Sequence, residues 1–205
     1  MNQTKKILLF IGFLAVFFLP EISRASVFDA ADFLAHRNAA VSALGELILT
    51  NPTSEGVEIH GRYGLSRDWN VGAMLGAGSA NKQFRLGAEA VYNFFPDTRE
   101  QMGFSLIGSV IFLDRHSKMG LQLRLGPMAH RKYVLFDDLP AEAYLALPFY
   151  YETRGTGSSF GSQFVLGSLL EFTRDHHWYV DGEVAARITK AESYLLVGAG
   201  YRFDD

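Results

Sequence analysis

The 205-residue chain contains no cysteine. That excludes a disulfide framework, a zinc–thiolate site and a lipidated N-terminal cysteine. It lacks a Gly-x-Ser-x-Gly elbow and a phosphate-cradling glycine loop. It has no excess of positive charge: 19 Lys and Arg stand against 22 Asp and Glu, for a net of −3. Nucleic-acid binding needs a basic face, and none is present. Beyond residue 25 there is no apolar run approaching the ~20 residues of a spanning helix. What the chain has in quantity is glycine (20), phenylalanine (17) and tyrosine (9), a composition that suits a β protein better than a helical one.

The N-terminus reads as a secretory signal. Lys5 and Lys6 precede an apolar stretch from Ile7 to Leu19, followed by Pro20 and the small-residue pair around Arg24 in Ser23-Arg24-Ala25. Pro20 and Glu21 break the stretch before it could span a bilayer. Cleavage is expected after residue 25, leaving 16 basic and 21 acidic residues and a net of −5. Residues 26–39 then form an arm or short helix, with Phe28, Ala31, Phe33 and Leu34 roughly on one face, and residues 40–205 one β domain.

From residue 40 the hydrophobic period becomes two. Clusters of Asn, Pro, Asp, Ser and Gly divide the chain into ten expected strands: 40–51, 57–65, 69–79, 83–95, 102–114, 119–133, 143–153, 160–174, 178–189 and 193–203. Segment 143–153 is the least regular, and eight strands result if two weak segments lie outside the wall. The fold class implied is all-β, an up-and-down antiparallel barrel. Alternation is clear at Val57, Ile59, Tyr63 and Leu65 against Glu58, His60 and Arg62, and at Phe84, Leu86, Ala88, Ala90 and Tyr92 against Arg85 and Glu89. In 102–114 both faces are apolar, Leu106 and Val110 against Ile107 and Ile111.

Period alone does not say which face meets solvent. A soluble lipocalin-like barrel binding an apolar ligand has the same period with the faces exchanged. Two features favour lipid outside. The polar face carries Glu58, Arg62, Arg85, Glu89, Arg124, Asp181, Glu183, Arg187 and Arg202, mixed in sign and nearly free of lysine, as expected of a small lumen cross-linked by ion pairs. These residues either neutralise one another and stiffen the barrel, or line a narrow polar path. Aromatics gather at strand ends, namely Tyr63, Trp69, Tyr92, Phe94, Phe95, Tyr150, Tyr151, Trp178, Tyr201 and Phe203, as at a headgroup boundary.

The last strand carries a third. Leu195, Val197, Ala199, Tyr201 and Phe203 share one face, with Leu196, Gly198, Gly200 and Arg202 on the other. Gly198, Tyr201 and Phe203 match a terminal pattern of glycine, two spacers, aromatic, spacer, aromatic. Leu196 stands where a polar residue is usual, and Asp204 and Asp205 follow the aromatic. This strand resembles the closing strand of small bacterial outer-membrane β-barrel proteins. The resemblance implies outer-membrane lipid and the barrel assembly machinery as partners, and a bacterial outer-membrane location. It carries no indication of solute or oligomeric state.

Catalytic motifs are sparse. Lipid A-modifying hydrolases of the outer membrane would show His-x-Ser on one strand, both side chains on one face. Here His116 and Ser117 are adjacent and fall in an expected turn. His60 and His130 read as lumen-facing polar residues, and His176-His177 as a turn without a third metal ligand. The expectation is a non-enzymatic barrel with a narrow or plugged polar lumen, structural or passing small solutes, with no metal and no cofactor. Wide diffusion porins need about 16 strands.

Overall fold

The computed structural model describes residues 33–204, apart from 51–52, 80–83, 99, 116–117, 136–138, 156 and 173–176. The expected signal segment lies outside the described residues, as do His116, Ser117 and His176.

Eleven strands form one antiparallel sheet: β1 (Ala39–Ile48), β2 (Ser54–Gly64), β3 (Trp69–Gly78), β4 (Phe84–Phe95), β5 (Gly103–Arg115), β6 (Lys118–Leu135), β7 (Leu139–Ala146), β8 (Phe149–Arg154), β9 (Gly157–Glu171), β10 (Trp178–Thr189) and β11 (Tyr194–Phe203). Apart from β7 and β8, neighbours in sequence pair in the up-and-down manner, and β11 pairs with β1 to close the wall. β7 and β8 lie end to end. Both pair with β6 on one side and β9 on the other, so the wall has ten staves.

The break inside the expected strand 143–153 has a local cause. Pro148 has no N–H to donate, and the residue across from the break on β6 is Pro127. The Leu147 N–H reaches the Pro127 carbonyl at 3.0 Å, which bends the stave. Gly126 admits the bend, since a Cβ there would lie 2.5 Å from Pro148 Cα.

The register defines the barrel's proportions. Following paired residues from Gly120 on β6 through Leu113, Arg85, Gly76, Glu58, Leu44, Gly198, Asp181, Leu169 and Glu142 returns to β6 at Lys132, twelve residues further on. Ten staves sheared by twelve give a tilt of about 40° and a backbone radius of about 10 Å.

Burial follows the two-residue period. In β1 alternate residues are buried from Ala40 to Ile48, and in β4 from Arg85 to Asn93. The buried face holds the charges. The open face holds Val57, Ile59, Leu75, Leu86, Val110, Phe112, Leu123, Leu125, Leu166, Val184 and Val197, all exposed. A barrel that exposes its apolar face and buries its ionic one has the inverse of a soluble lipocalin's arrangement.

Residues 33–38 are an arm with a turn at His36-Arg37, not a helix. The Arg37 N–H reaches the Gly64 carbonyl at 2.8 Å and places the chain against the end of β2, where a Cβ on Gly64 would overlap Ala35. From there the arm turns inward: Leu34 is buried with Ala40, Leu169 and Tyr179, and Phe33 packs deeper.

Candidate functional site

The lumen is not uniformly polar. Toward the end where β1 stops and β2 starts lies an ionic cluster. Arg85 Nη2 contacts Glu46 Oε2 at 2.6 Å, Arg85 Nη1 contacts Glu58 Oε1 at 2.5 Å, and Glu58 Oε2 meets His60 Nε2 at 2.9 Å. Arg85 and Glu58 belong to different staves, and Gly76 of β3 lies between them in register. With no side chain there, the two heads meet across it; a Cβ would sit 2.9 Å from Glu58 Cγ and 3.0 Å from Arg85 Nε. Gly72 occupies the corresponding place between Arg62 and Glu89. Gly76→Val is expected to destabilise the barrel by about 1–3 kcal/mol. Urea unfolding followed on the two tryptophans checks it.

Nearby, Arg124 Nε donates to Gln122 Oε1 at 2.6 Å, and Gln122 Nε2 to Glu152 Oε2 at 3.0 Å.

Part of the lumen is apolar. Leu44, Val91, Ile107, Met128, Tyr144, Ala146, Val165, Ala185, Tyr194 and Leu196 form one packed cluster, drawn from eight of the ten staves, with Phe33 against it. β5 is apolar on both faces because Val110 points out while Ile107 joins this cluster and Ile111 a second buried one with Met74 and Leu113. The first cluster also explains the apolar residue at position 196, which is part of it. One carboxylate enters that cluster, Glu183, which accepts from the hydroxyls of both Tyr144 and Tyr194.

Toward the end where β1 begins and β11 stops, Arg62 Nη2 lies 3.4 Å from the Tyr179 hydroxyl. Arg202 stacks over the Tyr179 ring at 5.2 Å and holds Glu171 at 2.5 Å. On the neighbouring staves His130 Nδ1 meets Glu142 Oε1 at 2.8 Å, and its Nε2 lies 3.3 Å from Ser105 Oγ.

Of the sequence candidates, Glu58, Arg62, Arg85, Glu89, Arg124, Glu183 and Arg202 are buried in the lumen and Asp181 is half-buried there. Arg187 is exposed, at the far end of β10 beside a register shift between Arg187 and Thr189. Glu58, His60 and Arg62 are buried in succession along β2, on the side of the lumen where the apolar cluster has no members. Sequence reading did not single out Glu46, Glu142, Glu152, Tyr144, Tyr194 or Ser105. Glu46 was open to the period-two rule, since Ser42, Leu44 and Glu46 alternate along β1; the cross-lumen partners of the others were not.

The aromatic belt is concentrated at the end where β11 stops. Trp69 pairs with Tyr92 (rings 4.8 Å apart), Tyr92 with Phe94, Trp178 with Tyr201 (5.0 Å) and Tyr201 with Phe203 (4.9 Å). Tyr63, Phe95 and Phe203 are exposed there. Tyr151 is exposed toward the opposite end, but Tyr150 is not in the belt. Consecutive strand residues face opposite ways, so Tyr150 points inward and its hydroxyl donates to the Lys190 carbonyl at 3.1 Å. In the closing strand, Gly198 faces inward and leaves room for the Leu44 side chain. Asp204 lies at the seam: its carboxylate accepts from Asn38 Nδ2 at 2.6 Å and lies 3.6 Å from His177 Nδ1, so it ties the starts of β1 and β10 across β11.

Among the described residues no group of three or more His, Asp or Glu is placed to hold a metal ion. The fold is an up-and-down antiparallel β-barrel of ten staves. No protein-family model matches the chain. No curated protein matches it either. Among solved structures it is similar to the β domain of the Bordetella autotransporter BrkA (14% identity, TM-score 0.48, 84% of this chain and 100% of that one). It is also similar to a bacterial polysaccharide outer membrane secretin (9%, TM-score 0.47, 82% of this chain and 66% of that one) and to the KdgM porin (17%, TM-score 0.35, 80% and 99%). At these identities the likeness is one of barrel architecture alone.

Proposed function

We propose that the protein is a bacterial outer-membrane barrel whose lumen is closed to solutes, with a structural role in the envelope. The observation that carries closure is that the inward side chains are buried all round the wall: an apolar cluster from eight of the ten staves, with Phe33 of the arm packed against it, and the buried Glu58, His60 and Arg62 of β2 on the remaining side. A water-filled path needs room beside a polar lining, and here the polar file along β2, Glu58, His60 and Arg62, is itself buried and held in ion pairs and hydrogen bonds. Location in the membrane is supported by the exposed apolar wall and the aromatic belt, since only helices and closed barrels can cross hydrocarbon with every backbone group paired.

The test has two parts. Protein that sediments with the outer membrane and migrates differently on gels before and after boiling supports the membrane barrel; protein found only in the soluble fraction would overturn it. Reconstituted in planar bilayers, the purified barrel is expected to give no conductance steps. Regular steps would overturn closure while leaving the location intact.

A further inference from the structure

We propose that Ser105, His130 and Glu142 form a nucleophilic serine centre at one mouth of the lumen, acting on small acyl esters. The three residues come from successive staves, β5, β6 and β7, and all face inward. His130 Nδ1 lies 2.8 Å from Glu142 Oε1, and Nε2 lies 3.3 Å from Ser105 Oγ. A carboxylate has no proton to give, so the ring's Nδ1 carries the hydrogen and, in the neutral ring, Nε2 presents a lone pair to the serine hydroxyl. That is the nucleophile–base–orienter order of a hydrolytic triad.

The ring is held from three sides. Glu142 fixes one nitrogen and Ser105 meets the other. Gly103, directly across from His130 in register, gives the ring room that a Cβ would fill. The Ser105 hydroxyl has a second acceptor, Asn93 Oδ1 at 3.4 Å, so its proton turns to His130 Nε2 when it is transferred. The sequence expectation of a non-enzymatic barrel looked for serine and histidine on one strand, at His116-Ser117. The pair that meets is 25 positions apart and lies across two strands.

The centre sits at the rim. Gly103 is the first residue of β5, so Ser105 is only two residues inside the wall. Toward the mouth, Glu142 together with Lys132, Val134, Pro140, Leu169 and Glu171 lines a cavity of about 210 Å³ whose lining stops short of Ser105 and His130. Its aliphatic residues suit a short acyl group, and its two carboxylates against one lysine suit an uncharged polar head; the ester must pass inward from it to meet Ser105. Ser105 is 3% exposed, so only small substrates and reagents are expected to reach it.

In the reaction, Ser105 Oγ bonds to the ester carbonyl carbon while its proton passes to His130 Nε2. The C–O bond to the alcohol breaks, and the alcohol leaves with that proton. A water molecule then gives a proton to His130, its oxygen attacks the acyl-serine, and the carboxylic acid leaves with Oγ reprotonated. Glu142 acts as a positioning residue.

The test uses full-length barrel folded in detergent micelles, verified by its unboiled gel mobility, and diisopropyl fluorophosphate as probe. The expected result is an adduct mapped to Ser105 by peptide mass in folded protein and absent from boiled protein. Hydrolysis of p-nitrophenyl acetate is expected to fall by about a hundredfold in Ser105→Ala and His130→Gln. Glu142→Gln should lower kcat with KM nearly unchanged. No adduct at Ser105 in folded wild-type protein, or one formed equally fast in His130→Gln, would show the three residues to be only a buried hydrogen-bond cluster. The wild-type result decides even where a variant fails to fold, and neither outcome bears on membrane location or closure.

Discussion

Arg85→Ala is expected to lower the unfolding free energy by about 3–5 kcal/mol, the cost of removing one partner from a buried charge cluster. Arg85 is 2% exposed and is the shared cation for Glu46 and Glu58, which contact it at 2.6 and 2.5 Å. Without it two carboxylates remain buried close together, with His60 in contact with Glu58. They must repel each other or take up protons, and either outcome destabilises the closed wall. The control follows from the same physics. Replacing the whole cluster with apolar residues of similar size, Arg85→Met with Glu46→Leu and Glu58→Met, should recover most of the loss, because no charge is left to desolvate. Urea unfolding in micelles followed by tryptophan fluorescence measures both, and Trp69 and Trp178 are well placed on the outer wall for it. A single variant as stable as the parent would mean that the contacts at Arg85 contribute nothing to holding the staves together.

The second large effect is on the other face. Val110→Arg, at the middle of β5 and 41% exposed, is expected to cost about 2–4 kcal/mol in lipid vesicles. Phe94→Arg, near the end of β4 in the aromatic belt, should cost about 0–1 kcal/mol, because an arginine there reaches the headgroups. The depth dependence is the diagnostic. On a soluble barrel both positions are ordinary surface, and substitutions would stay within about 0.5 kcal/mol of neutral wherever they fall along the strand. Equal and small effects at Val110 and Phe94 would therefore remove lipid as the solvent of the outer wall.

The two substitutions probe the same alternation from opposite sides, and that alternation is what the amino-acid order determines. In β4, Leu86 and Ala88 against Arg85 and Glu89 sort into outward and inward sets because strand side chains alternate by geometry. Ten periodic segments, turn residues between them and an aromatic closing strand were enough for an antiparallel barrel. Proline chemistry was also legible at Pro148, though its consequence, one stave in two pieces, depended on Pro127 lying opposite.

Distance across the lumen was not legible, because period two says which way a side chain points but not what it meets. Whether Arg85 finds Glu58 depends on Gly76 of the intervening stave, and so on the register of three strands at once. Whether Ser105 finds His130 depends on a diagonal offset of two residues between β5 and β6. Tyr150 and Tyr151 show the limit at its simplest: their type suggested a belt, and one of them had to face inward. The sequence by itself determined the wall, its two faces and its closing strand, since those rest on local geometry. Only the tertiary structure decided that an apolar cluster fills one side of the lumen, which charges share the other, and that a serine, a histidine and a glutamate meet at one rim. Those outcomes depend on a shear of twelve around ten staves, which brings together residues far apart in the chain.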